Sequence, residues 1–270
     1  MKKRLLIYLT VITMIIATTL TGCESGTEPK PDETKTVEVT VFMAASLANT
    51  MEEIRDMYAK IDPNVTLIFN ADSSGTLQTQ IEEGAACDIF FSAAVKQMAA
   101  LEAGGYVVDN TIVNLLENQI VLIKATGEET AVTGFETITN ASSLAFGGED
   151  TPIGAYAREI FTNLGNIDDV LAMEINEGAN VTAVLTAVSE KSNEVGIVYA
   201  TDAASMPDTV EIIAAAPKGS FDKAIYPVGQ IVNPEATQAE LDAAKAFLKY
   251  LSTDEALAVF KDYGFTTYIE

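Results

Sequence analysis

Histidine and tryptophan are absent from the 270 residues, and cysteine occurs only twice. Without histidine, Ser-His and Cys-His nucleophile pairs cannot form within the chain, nor can histidine-ligated zinc or iron sites. The two cysteines, Cys23 and Cys87, give neither a disulfide framework nor a zinc-type spacing. Cys87 stands in GAACDIFFSA ahead of an apolar strand, where a buried free thiol is the expected role. Basic residues are scarce: 16 Lys and Arg stand against 39 Asp and Glu, a net charge of −23. That surface lacks the basic footprint a nucleic acid needs, so none is expected as a partner. It also repels anions at long range, so any anion site must work through local groups. No Gly-rich phosphate loop is present.

What is present begins with a targeting segment. Lys2, Lys3 and Arg4 precede an apolar, uncharged run over 5–20. The run is shorter than the roughly 20 residues of a membrane-spanning helix and suits a secretory signal. It ends in Leu20-Thr21-Gly22-Cys23, which resembles the bacterial lipobox. Residues 1–22 are therefore expected to be a lipoprotein signal peptide, with Cys23 the lipidated residue; the plainer alternative is a signal peptide with an incidental cysteine. The stretch 23–36, rich in Pro, Glu and Thr, reads as a disordered tether. The body it carries would face the outside of the cytoplasmic membrane, held there through the lipid at Cys23.

Apolar residues make up 48% of the chain, ample for a core, and the length suits one large domain or two modest ones. The segment 37–58 (VEVTVFMAASLANTMEEIRDMY) alternates apolar residues at Val37, Val39 and Val41, then turns helical after Ala44-Ala45-Ser46. It reads as strand, tight turn and helix, with Ser46 as N-cap. A second unit follows: a strand over 64–70, the turn Asp72-Ser73-Ser74-Gly75, and a helix carrying Leu77 and Ile81. A third strand over 88–92 leads to a helix over 95–103, ended by Gly104-Gly105. Repetition of strand and helix argues for an α/β fold, whose ligands sit at the carboxyl ends of strands.

The same grammar recurs further on. Thr151 as N-cap and Pro152 at the first helical position match helix-start preferences and leave the Ile153 N–H at the exposed end. Asn180 caps a helix that begins at Val181, and a strand over 196–199 ends on Tyr199. Leu241, Ala244, Leu248 and Leu251 mark an amphipathic helix. A last helix over 253–263 stops at Gly264. Apolar strands over 119–124 and 224–232 are expected to cross between two lobes. The first lobe is then 37–118 plus 226–270, and the second 119–225.

Ser46, Ser74, Ile153, Val181 and Tyr199 thus offer hydroxyls or backbone N–H groups, none of them charged. Such a set suits an ionised oxyanion, whose oxygens all accept. The segments VFMAASL, SSGTLQTQIEEGAACDIFFSA, PIGAYA, NVTAVL, GIVYATDA, YPV and FKDYGF stand in one order between about 39 and 266. In that order they resemble the periplasmic molybdate-binding proteins of ABC importers. The resemblance implies an α/β, two-lobed periplasmic-binding-protein fold of the type II kind. Each lobe would hold a mixed, mainly parallel sheet flanked by helices, with the ligand in the interlobe cleft.

The resemblance further implies that Ser46 and Ser74 donate hydroxyls, Ile153 and Val181 backbone N–H groups, and Tyr199 its phenol. They would hold molybdate, or tungstate, through its oxygens with no direct ligand to the metal. It implies no cofactor and no catalysis, a permease as partner, and a monomer. Asp72, two residues before Ser74, departs from the family pattern; it is expected to point outward or to accept a local backbone N–H.

Other readings stand beside this one. Ser46 and Ser74 could simply cap helices, and Tyr199 could be a core-edge aromatic. The pairs Glu52-Glu53, Glu82-Glu83 and Asp168-Asp169 suit solvated faces. Among functions, the alternatives are a carrier of sulfate or another tetrahedral oxyanion, and an exported serine hydrolase using Ser46 or Ser74 with Lys60 or Lys96. A ferric-ion carrier would need clustered tyrosines and carboxylates.

Overall fold

The computed structural model describes residues 36–269. The signal segment 1–22, Cys23 and the tether up to residue 35 lie outside the described residues, as does Glu270. In chain order the first elements are β1 (Val37–Ala44), α1 (Ala48–Ile61), β2 (Val65–Asp72), α2 (Ser74–Glu82), β3 (Ile89–Phe91), α3 (Val95–Ala103) and β4 (Val113–Asn118). Then come β5 (Ile120–Ala125), β6 (Leu144–Gly147), α4 (Pro152–Leu164), α5 (Ile167–Leu171), β7 (Ile175–Gly178), α6 (Val181–Ser189), β8 (Val195–Tyr199), α7 (Ala200–Ser205) and β9 (Val210–Ala215). The chain closes with β10 (Ala224–Gln230), α8 (Gln238–Leu251), α9 (Asp254–Asp262) and β11 (Thr266–Thr267). None of the described helices is long and apolar enough to cross a membrane.

The strands form two mixed sheets. One has the order β11-β4-β10-β3-β1-β2, the other β7-β6-β8-β5-β9. Sheet membership changes between Asn118 and Ile120, and changes back between Ala215 and Ala224. The body is therefore two-lobed, with a discontinuous first lobe. Parallel pairing joins β1 to β2 and β3, and β6 to β7 and β8. The strands at the crossings, β4, β5 and β10, pair antiparallel with their neighbours. A strand that enters a lobe from its partner arrives without the crossover helix that parallel pairing needs.

Alternation along β1 explains how its sheet is covered. Val39, Val41 and Met43 face the main core, while Phe42 faces a second cluster with Leu77, Phe90, Met98 and Leu101 from the opposite side. The amphipathic helix α8 packs on β1 and buries Ala244, Phe247, Leu248 and Leu251. Thr237 and Glu240 form its capping box. Gly264, at φ 93°, ends the last helix in the left-handed conformation that glycine alone adopts cheaply. Cys87 is buried and free, and burial pushes its thiol up to about 12, which keeps it protonated and inert.

Candidate functional site

Two parallel strand pairs place the site. In the first lobe Ala44 of β1 lies opposite Asp72 of β2; in the second, Gly147 of β6 lies opposite Gly178 of β7. Each pair ends side by side at its carboxyl edge, so each lobe delivers two adjacent turns and the helices that follow.

In the first lobe both serines sit differently from the simplest expectation. Ser46 is not an N-cap: the chain makes a 3-10 turn over Ala45–Leu47 before α1, and Leu47 takes the cap position with no side-chain bond. The inserted turn frees the Ser46 hydroxyl, which lies 2.9 Å from the Tyr226 hydroxyl. Ser73, not Ser74, caps α2 by accepting the Thr76 N–H at 3.1 Å. Ser74 is the first helical residue, 1% exposed, and its Oγ accepts the Ala93 N–H at 2.9 Å. With that lone pair engaged, its O–H is left to donate elsewhere.

The second lobe follows its sequence signals. Thr151 caps α4 by accepting the Gly154 N–H at 3.0 Å, with Pro152 at the first position. Asn180 caps α6 by accepting the Ala183 N–H at 3.0 Å. Each cap takes the third N–H of its helix. Pro152 has none to give, so the Ile153 N–H stands outside the hydrogen-bond ladder, as does that of Val181. The side chains of both point into the core, where Ile153 is 2% exposed. Tyr199 closes β8 opposite Ile120; its buried hydroxyl has no hydrogen-bond partner among the described residues. Burial holds this phenol well above its ordinary pKa, so it remains a neutral donor. Behind it, Asp202 accepts the Tyr199 N–H at 3.2 Å. Burial pushes that carboxyl up to about 7, with the Tyr199 hydrogen bond drawing it partly back.

Ser46, Ser74, Ile153, Val181 and Tyr199 all line one small space of about 20 Å³ between the lobes, with Ala44, Ala93, Thr151 and Asp72 completing much of its wall. A single water needs roughly 10–15 Å³, so the space suits a compact group and excludes a sugar or peptide. Among the described residues no lysine or arginine is on that wall; the helix starts of α2, α4 and α6 supply positive potential there.

Asp72 is the one charged residue lining the space. Its Oδ1 accepts the local Ser73 N–H at 2.7 Å, as expected, and also the Asn180 Nδ2–H at 2.9 Å from the other lobe. A second interlobe contact flanks the space at Gly75, where a Cβ would stand 2.0 Å from the carbonyl oxygen of Asp150. Neither contact carries a local signal in sequence. Asn180 and Asp72 are 108 positions apart, Ser46 and Tyr226 180.

Neither serine is hydrogen-bonded to a lysine, and Lys60 and Lys96 are exposed. Among the described residues no group of three or more Cys, Asp or Glu is placed to hold a metal ion.

A family model described as a bacterial extracellular solute-binding protein matches residues 39–266. The chain belongs to this family. This solute-binding protein is 34% identical over 267 residues to the "Putative ABC transporter substrate-binding lipoprotein YvgL" of Bacillus subtilis, spanning 98% of this chain and 99% of the relative. It is also 34% identical over 235 residues to the molybdate-binding protein ModA of Haemophilus influenzae, covering 85% and 90% of the two chains. Among solved structures it resembles the "substrate binding domain of putative molybdenum ABC transporter from Clostridium difficile". There the TM-score is 0.65 at 33% identity, covering 87% of this chain and 100% of that one. The family is one of extracellular solute-binding proteins.

Proposed function

We propose that this solute-binding protein captures molybdate, and tungstate with it, and delivers the ion to an ABC transporter permease without catalysing a reaction. One observation carries the reading. Ser46, Ser74, Ile153, Val181 and Tyr199, which carry two serine hydroxyls, two helix-start N–H groups and a phenol, all line one space between the lobes that no cation lines. A tetrahedral dianion presents only acceptors, which is what a wall of donors satisfies. An anion that keeps a proton, such as hydrogenphosphate, would bury that proton without an acceptor, at a cost of about 1–3 kcal/mol, unless the proton reached Asp72, the one carboxylate on the wall. Contacts from both lobes would make binding draw them together. The named relatives that bind molybdate or carry a lipid support the same assignment, with Cys23 as the anchor on the outer face of the membrane and the body acting as a monomer.

A second reading, sulfate, is favoured by the smallness of the space. Titration calorimetry of the body with molybdate, tungstate, sulfate and phosphate separates the two. Tight molybdate binding with weaker sulfate heat is expected. Tight sulfate binding with no molybdate signal would overturn the proposal.

A further inference from the structure

We propose that Tyr226 sets the direction of the Ser46 hydroxyl, making it a donor to the ligand, through a polarised chain Asn118–Tyr226–Ser46. The inference rests on the ligand reading above and adds a specificity-determining residue to it. The direction follows from counting donors. Asn118 Oδ1 accepts the Gln119 N–H at 2.9 Å, which fixes the carboxamide, since a flipped amide would set donor against donor. Its Nδ2 therefore donates twice, to Thr201 Oγ1 at 2.9 Å and to the Tyr226 hydroxyl at 3.2 Å.

The Tyr226 phenol, accepting from Asn118, has its own hydrogen left to place. Ser46 Oγ lies 2.9 Å away and is the one hydroxyl hydrogen-bonded to it, whereas the neighbouring Tyr199 hydroxyl makes no hydrogen bond among the described residues. Tyr226 therefore donates to Ser46, and the Ser46 hydrogen is turned toward the space that Ser46 lines. Tyr226 is fully buried, wedged edge-on between the rings of Tyr199 and Phe265, so its hydroxyl cannot swing away. Burial also keeps it protonated. Ser74 reaches the same state by a different route, through the Ala93 N–H. Tyr226 is thus a positioning residue that acts through Ser46. It adds a donor to a wall on which Asp72 is the one carboxylate, and so favours an anion without a proton.

A double-mutant cycle tests this. Tyr226→Phe keeps the ring and its packing. It is expected to weaken molybdate binding roughly 10-fold, the worth of one hydrogen bond to a charged group, and to narrow the molybdate-to-phosphate ratio. In a Ser46→Ala background the same change should cost nothing further. Additive losses, or a Tyr226→Phe protein that binds as tightly and as selectively as wild type, would overturn the inference. Thermal unfolding of each variant identifies any that fail to fold, and in that event Asn118→Leu replaces Tyr226→Phe in the cycle. If wild type prefers sulfate, the cycle is run with sulfate: the function reading then fails while this inference is still judged by additivity. Absence of binding by every oxyanion would overturn both.

Discussion

The two jaws of the cleft are built alike and armed differently. Each ends in a parallel strand pair whose carboxyl edges feed two turns and two helices. The first jaw presents side-chain hydroxyls, from Ser46 and Ser74, whose oxygens are already engaged by the protein. The second presents backbone N–H groups beside Ile153 and Val181, whose side chains are spent on the core. Tyr199 apart, side-chain identity should therefore matter to the ligand in the first jaw and to folding in the second.

The largest effect is expected where the jaws touch. Gly75→Ala would drive a Cβ into the Asp150 carbonyl and hold the cleft ajar. Affinity for molybdate should fall roughly 100-fold, with the fold intact, since overpacking a fixed contact costs about 1–3 kcal/mol. Unchanged calorimetric affinity would mean that the jaws do not need this approach.

Next comes the contrast itself. Ser74→Ala removes a proposed donor and leaves the buried Ala93 N–H unpaired, so binding should weaken roughly 10- to 100-fold. Ile153→Ala should leave affinity within about twofold while lowering stability by about 2–4 kcal/mol, as for a fully buried aliphatic side chain. Calorimetry and denaturant unfolding on the same two proteins read both effects. Equal affinity losses would erase the distinction between jaws.

Two acids give smaller effects. Asp72→Asn preserves an acceptor for Ser73 and Asn180 but removes a charge from the wall; molybdate should bind roughly threefold tighter. Weaker binding would mean that the carboxylate itself is needed for closure. Asp202 holds its proton more tightly in the fold, at about 7 against an ordinary 3.8. Its contribution to stability is therefore complete below about pH 4 and is lost as pH rises through about 7. Asp202→Asn should flatten the fall in Tm across that window, and an unaltered slope would contradict the assignment.

Much of this was legible in sequence because it is local. Thr151-Pro152 and Asn180 announce their helices within a few residues, α3 begins and ends where Val95 and Ala103 say, and Gly264 stops α9. What escaped is of two kinds. Ser46 looked like a cap because a 3-10 turn and a cap share the same residues, and only the Tyr226 contact separates them. The links Asp72–Asn180, Gly75–Asp150 and Asn118–Tyr226 join positions that no periodicity relates. The first two exist because the lobes meet at the strand ends, the third because β4 and β10 of one sheet come from separate stretches of chain.

The most direct measurement is a crystal structure of the protein with molybdate bound. The account predicts the ion between the lobes, its oxygens within hydrogen-bond distance of the Ser46, Ser74 and Tyr199 hydroxyls and the Ile153 and Val181 N–H groups. Molybdate found elsewhere, or held there by a lysine or arginine, would contradict it.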